Sequence, residues 1–228
     1  MSQNEDKRLA ALAAADEVRD GMLVGLGTGS TAAFLIDELA RRARDGLRIE
    51  AVATSLASDA QAKAGGLTVR PFEDVAAIDL CIDGADEIDG ACRAIKGAGA
   101  AMVREKIVAT AATRMVVIAD GCKKVAQLGA APVPVEVLPF GRAFVARALA
   151  ELGGKSTLRP RGDAPYLTDQ GNLILDTHFG LIADPATLAR HLSLVPGVVG
   201  HGLFIDEVDA LYLAEGGTVT RIERSAAI

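Results

Sequence analysis

The chain has 228 residues and a formal net charge of −6; 50% of its residues are hydrophobic, 24% are charged, and Trp is absent. This excludes disordered, collagen-like and disulfide-stapled classes and leaves a globular protein with a real core, built as one large domain or as a main domain with a smaller partner. Scattered basic residues argue against nucleic acid, the polar start Met1-Ser2-Gln3-Asn4-Glu5-Asp6 is unlike a signal peptide, and no apolar run approaches the ~18 residues of a membrane span. A soluble cytoplasmic protein is expected, with Cys81, Cys92 and Cys122 as reduced thiols because no pairing pattern links them.

Asp6 is placed to cap a helix running to about Val18, and Met22 to Leu26 follows as a short apolar strand. Ser30 or Thr31 opens a helix through about Ala43, Ile49 to Ala53 forms a second strand, and Gly65-Gly66 separates a short helix from a strand at Leu67 to Val69. Leu80 to Ile82, Arg93 to Ile95 and Met115 to Ala119 read as further buried strands, with a helix from about Gly99 to Ala112 between the last two. This alternation predicts a Rossmann-like, mostly parallel sheet with helices on both faces. After Gly129 the order is strand, helix, strand, strand, helix, strand: Val133 to Leu138, Arg142 to Leu152, Ser156 to Arg159, Leu173 to Thr177, Pro185 to Leu194 and Val198 to Phe204. That order suggests a smaller ferredoxin-like α+β domain. A hairpin around Gly216-Gly217 returns to the first domain. The expected division is a catalytic α/β domain of residues 1–130 and 203–228 and a small domain of residues 131–202 with a part in oligomerisation.

Three glycine-punctuated loops carry the polar clusters. In the first, Gly25-Leu26-Gly27-Thr28-Gly29-Ser30-Thr31, backbone N–H groups at a helix start and flanking hydroxyls offer an anion site; the plain alternative is a capped turn. A dinucleotide is disfavoured because Ser30 stands where the third glycine of the fingerprint belongs, and a Walker loop lacks its Lys. The second, Asp83-Gly84-Ala85-Asp86-Glu87-Ile88-Asp89, gathers carboxylates that resist simultaneous ionisation, so one can hold a proton for acid/base work. Calcium does not fit, since the required spacing puts Lys96 at the twelfth position, and Glu87 and Asp89 read rather as a solvated turn than as chemistry. The third, Lys96-Gly97-Ala98-Gly99, leads to Arg104-Glu105-Lys106. The i±3 and i±4 neighbours of Glu105 are Ala101, Met102, Val108 and Ala109, which places its carboxylate on a buried stripe as a general base or as half of a core salt bridge. Lys96 with nearby amides suits an oxyanion. Lys123, and less strongly Lys7 and Lys124, are candidates to reach a phosphate; His178, His191 and His201 share no metal spacing.

A phosphate cradle, an acidic loop, a Lys with amides and a semi-buried Glu meet the needs of an aldose–ketose isomerisation. Through Gly27-Thr28-Gly29-Ser30-Thr31, Asp83-Gly84-Ala85-Asp86-Glu87, Lys96-Gly97-Ala98-Gly99-Ala100 with Arg104-Glu105-Lys106, and Ala119-Asp120 before Lys123, the chain resembles the A-type ribose-5-phosphate isomerases. The likeness extends to Pro134-Val135-Glu136-Val137 and Asn172-Leu173-Ile174-Leu175-Asp176. It implies interconversion of D-ribose 5-phosphate and D-ribulose 5-phosphate in the non-oxidative pentose phosphate pathway, no metal or organic cofactor, and a homodimer or dimer of dimers. It also implies Glu105 as proton acceptor, Thr28, Gly29, Ser30, Thr31 and Lys123 on the substrate, and Asp83, Gly84, Ala85, Asp86, Lys96, Gly97, Ala98 and Gly99 along the sugar. Two departures stand out. Ala98 replaces a Gly found in some relatives, which narrows backbone freedom, and Cys122 replaces a frequent Ser at a helix start, where the dipole favours thiolate. The rival functions are a non-catalytic sugar-phosphate sensor, a sugar-phosphate deaminase or lactonase, and a nicotinamide-dependent dehydrogenase.

Overall fold

The structure, a computed structural model, describes residues 2–225. From the N-terminus run α1 (Gln3–Ala15), β1 (Leu23–Leu26), α2 (Ser30–Arg44), β2 (Glu50–Ala53), α3 (Leu56–Ala64), β3 (Thr68–Val69) and β4 (Ile78–Gly84). The chain then forms β5 (Glu87–Ile88), β6 (Ala94–Ile95), α4 (Met102–Ala111), β7 (Ala112–Asp120), β8 (Val133–Val137), α5 (Arg142–Glu151), β9 (Lys155–Leu158), β10 (Pro160–Arg161) and β11 (Ala164–Pro165). It ends with β12 (Leu173–His178), α6 (Pro185–Ser193), β13 (Val198–His201), β14 (Leu203–Phe204), β15 (Ala210–Glu215) and β16 (Thr218–Glu223). Two compact units result. One holds the chain up to Ala85, Arg104–Lys124 and the chain from Asp206 on; the other holds Asp86–Val103 and Val125–Ile205.

The first unit is a seven-stranded sheet in the order β16-β15-β7-β4-β1-β2-β3, parallel throughout except for the β15–β16 hairpin. The chain winds outward from β1 to β3, crosses back to β4 and winds outward the other way, so strand order reverses between β1 and β4. Ligands bind outside the carboxyl ends of strands at such a switch point, and the pairing of Leu26 with Ile82 brings those two ends side by side. Val24, Leu26, Leu80, Ile82, Val116 and Ile118 are buried in the sheet, against Ala10, Ala11, Ala14 and Ala15 of α1 and Leu35, Ile36 and Leu39 of α2. Small alanines let α1 approach closely. Asp6 does not cap this helix: Ser2 does, accepting from Glu5 N. Asp6 instead accepts from Gly217 N at 2.9 Å and steadies the hairpin turn, where Gly216 and Gly217 both take positive φ, 57° and 88°, as a tight two-residue hairpin demands.

In the second unit β8, α5, β9, β12, α6 and β13 form a βαββαβ unit whose antiparallel sheet has the order β13-β8-β12-β9. This is the ferredoxin-like arrangement read from the sequence, with Val133, Val135, Val137, Val145, Leu149, Leu175 and Leu192 at its core. Buried Glu136 accepts from Thr168 Oγ1 at 2.9 Å and Asn172 Nδ2 at 2.8 Å, which gives the Glu136 and Asn172 motifs a structural purpose. The segment Arg93 to Ile95 does not join the parallel sheet. It pairs antiparallel with β5 and β14, and Lys96 N donates to Gly202 O at 2.8 Å, so residues 86–103 group with the second unit rather than the first. An apolar run reads the same in a buried parallel strand and in a short antiparallel one. The expected strand Val198 to Phe204 breaks at Gly202, where a Cβ would sit 2.0 Å from Lys96 O.

Candidate active site

The first loop leaves β1 in close contact with Asp83. Gly27 N donates to Ile82 O at 3.0 Å, Thr28 N to Asp83 Oδ1 at 2.9 Å and Gly84 N to the same oxygen at 2.7 Å. Gly29, with φ 104°, precedes α2 and supplies no side-chain cap, so the first amides of that helix remain open to an anion. The Lys7 ammonium reaches Ser30 Oγ at 3.1 Å, and Thr31 stands beside Gly84, its Cβ 3.9 Å from where a methyl there would lie. Below the loop, Thr28 Oγ1 lies 2.7 Å from Thr54 Oγ1 and donates to Ser55 Oγ at 2.9 Å, while Ser58 Oγ donates to Gly27 O at 2.6 Å. The signal of this hydroxyl floor in the sequence is the Thr54-Ser55-x-x-Ser58 spacing.

Asp83 is fully buried at the end of β4 and is accompanied by half-buried Gly84 and Ala85. Glu87 and Asp89 are not a solvated turn. Glu87 is buried and accepts from Gly129 N at 2.7 Å and from Ala131 N; Asp89 accepts from Ala91 N and Arg93 N and pairs with the Arg93 guanidinium at 2.7 Å. Both carboxylates are spent on structure.

Glu105 is 3% exposed, within a stripe of Ala101, Met102, Val108 and Ala109 that are equally buried. α4 runs directly into β7, whose Ala112 pairs with Ile78 at the start of β4. The helix therefore points its N-terminus toward the carboxyl ends of the strands. Val108 packs at Gly25, where an added Cβ would come within 2.7 Å of it. Glu105 lies one turn earlier on the same stripe, toward the end of β1 where Gly27 sits.

In the second unit Lys96 is 2% exposed, with its ammonium 5.3 Å from the Phe204 ring centroid, a desolvated cation held against an aromatic face. Asp86 Oδ2 accepts from Ala98 N at 2.8 Å. Ala98 lies outside the positive-φ region; the residues inside it are Gly97 at 109° and Ala100 at 65°. The methyl of Ala98 therefore costs the loop nothing, whereas Ala100 holds a conformation alanine disfavours.

A family model described as Ribose 5-phosphate isomerase A (phosphoriboisomerase A) matches residues 50–217. The chain belongs to this family. It is 52% identical over 214 residues to the ribose-5-phosphate isomerase A of Sphingopyxis alaskensis, covering 94% of each chain, and 49% identical over 227 residues to that of Methanosarcina acetivorans, covering 98% of this chain and 96% of the other. A solved D-ribose-5-phosphate isomerase in complex with phospho-erythronic acid superposes with a TM-score of 0.95 at 36% identity, covering 98% of this chain and all of the other. The ribose 5 phosphate isomerase A of Neisseria gonorrhoeae gives a TM-score of 0.92 at 36% identity and 99% coverage of both chains.

The turn after β7 differs from the helix start expected at Cys122. Lys123 and Lys124 do not open an α-helix; Gly121–Lys123 is a single 3-10 turn. The Lys123 side chain, half-buried at its end, makes no hydrogen bond or ion pair among the described residues. Cys122 is no activated thiolate. Its Sγ donates to Asp120 Oδ1 at 2.6 Å, and burial together with that carboxylate pushes the thiol up from its ordinary value, against weaker opposing effects of Lys123 and Gln3. So short a turn has almost no dipole to set against a carboxylate in contact. Among the described residues no helix is long and apolar enough to cross a membrane.

Proposed function

We propose that the chain interconverts D-ribose 5-phosphate and D-ribulose 5-phosphate through an enediolate, as a step of the non-oxidative pentose phosphate pathway in the cytoplasm. The observation that carries this reading in a family of ribose 5-phosphate isomerases is the β1/β4 switch point: an uncapped helix start with Ser30, Thr31 and Lys7, joined to a buried Asp83 by Thr28 N. The open amides, hydroxyls and ammonium take the phosphate, with Lys123 as a second cation. Asp83 and Asp86 handle the hydroxyl protons of ring opening. Glu105 takes the proton from C2 and returns it to C1, and Lys96 with the loop amides stabilises the enediolate oxygen. These steps use only side chains and amides of the chain itself.

The test is appearance of ribulose 5-phosphate from ribose 5-phosphate without added cofactor, with phospho-erythronic acid as a competitive inhibitor. Lys7→Ala is expected to raise KM about 10-fold or more and leave kcat within about 3-fold, because a charge-assisted phosphate contact binds substrate and transition state alike. No turnover by the wild-type chain would refute the reading.

We further infer a homodimer, or a dimer of dimers, formed through the small unit. Phe140 is fully exposed, Leu194 is 73% exposed, and Leu138, Phe144 and Val199 are also open; Leu138 N donates to Gly197 O at 2.9 Å and ties the two segments that carry them. An apolar group of this kind suits a second copy of the chain. Sedimentation of the wild type as a dimer or tetramer, and of Phe140→Asp as a smaller species, is the expected result; a wild-type monomer would remove the inference.

A further inference from the structure

Arg159, between β9 and β10, has no place in the chemistry so far. Its side chain is 14% exposed and is fixed at both ends. Nε and Nη2 donate to Asp176 Oδ2 and Oδ1 of β12 at 2.9 and 2.5 Å, and its own N and O bond to Ile174 O and Tyr166 N, each within 2.9 Å. The remaining arm, Nη1, donates to Gly97 O at 3.0 Å and to Ala98 O at 3.1 Å. A planar fork locked by a bidentate carboxylate is a stiff ruler for whatever its third arm touches.

The two carbonyls it holds belong to peptide units of the loop to which the oxyanion role is assigned above. The Gly97 carbonyl shares its peptide with the Ala98 N–H, which donates to Asp86 Oδ2 at 2.8 Å. The Ala98 carbonyl shares its peptide with the Gly99 N–H, which has no acceptor among the described residues. A cation on a carbonyl polarises its peptide and strengthens the N–H at the other end. The loop also needs holding: Gly97 and Ala100 both sit at positive φ, 109° and 65°, and the Ala100 N to Gly97 O turn bond, at 2.9 Å, closes it locally.

We propose that Arg159, locked by Asp176, is a positioning residue: it sets the Gly97–Ala98 and Ala98–Gly99 peptide planes, so that one N–H fixes Asp86 and the Gly99 N–H stays presented to the enediolate oxygen. This rests on the isomerase reading. The phosphate contacts lie elsewhere in the chain, so loss of the guanidinium acts on the chemical step rather than on binding.

The experiment uses the full chain with Arg159→Met, Arg159→Lys, Asp176→Asn and the Arg159→Met/Asp176→Asn pair. Arg159→Met is expected to lower kcat about 10- to 100-fold with KM within about 3-fold, the penalty typical of a site misplaced by an ångström or less. Arg159→Lys recovers part of kcat, and the double variant is no worse than Arg159→Met alone because the two residues act as a unit. Amide hydrogen exchange at residues 97–100 is expected to quicken in Arg159→Met. Unchanged kcat, or additive losses in the double variant, would overturn the proposal. If Arg159→Met does not fold, Arg159→Lys and Asp176→Asn carry the same comparison. Should the wild-type chain show no turnover, the isomerase reading fails separately, and unaltered exchange at residues 97–100 then sinks the clamp by itself.

Discussion

Glu105→Gln is expected to reduce kcat about 10²- to 10⁴-fold while KM changes little, the range that a positioned general base contributes. Glutamine keeps the shape and volume of the side chain, and Glu105 is 3% exposed on a stripe whose other members are apolar, so neither packing nor fold accounts for such a loss. What disappears is the capacity to accept a proton. A second readout follows from the same role: the variant should fail to exchange the C2 hydrogen of ribose 5-phosphate with solvent, because that exchange needs a base even when product release does not. Turnover of Glu105→Gln within 10-fold of wild type would show that another group, with Asp83 and Asp86 the nearest in kind, moves the proton.

The other large effect is expected at Gly27, through the backbone. A Cβ built there would stand 2.0 Å from Asp83 Oδ1, 2.3 Å from its Cγ and 2.5 Å from its Cα. A side-chain tip can swing away, but the Cα is part of β4 and moves only if the ends of β1 and β4 separate. Gly27→Ala should therefore cost about 1–3 kcal/mol or more of stability, as overpacking does. It should also break the Thr28 N to Asp83 Oδ1 bond, lowering kcat/KM roughly 100-fold as the cradle and the carboxylate lose register. Thermal denaturation and steady-state kinetics measure the two parts. Gly90→Ala is the control: nothing lies within 4 Å of its added methyl, and both quantities should stay near wild type. A Gly27→Ala protein as stable and as active as the control would mean that the tight contact between the two loops is not required.

The fold and the site are legible in the sequence to different depths. The buried stripe around Glu105 was visible as spacing alone, because helical geometry makes i±3 and i±4 neighbours share a face whatever surrounds them. The βαββαβ order was legible for a similar reason: each element there is long enough to show its period. The strand Arg93 to Ile95 reads like a member of the parallel sheet because only Ala94 and Ile95 are paired, and two residues carry no period that tells parallel from antiparallel. Asp6 and Ser2 are both good capping residues, and only the Gly216-Gly217 turn, two hundred residues downstream, claimed Asp6. A helix start by itself favours a thiolate at Cys122, but the Asp120 carboxylate in contact with it outweighs that local effect.

The sequence by itself determined the periodic and local features: the alternation that builds a doubly wound sheet, the glycine loops at strand ends, the burial of Glu105, and the motif set that marks a ribose 5-phosphate isomerase A. Tertiary structure alone decided which carboxylates are spent on structure, as Glu87, Asp89 and Glu136 are. It also decided that Gly27 must lack a side chain because of Asp83, and that Arg159 reaches back to the carbonyls of Gly97 and Ala98. The physical reason is one of range. Backbone conformation and helical or strand period are set by neighbours a few residues away, whereas the partner of a buried charge or the atom against a glycine is chosen by chain topology, which brings together residues that no local pattern connects.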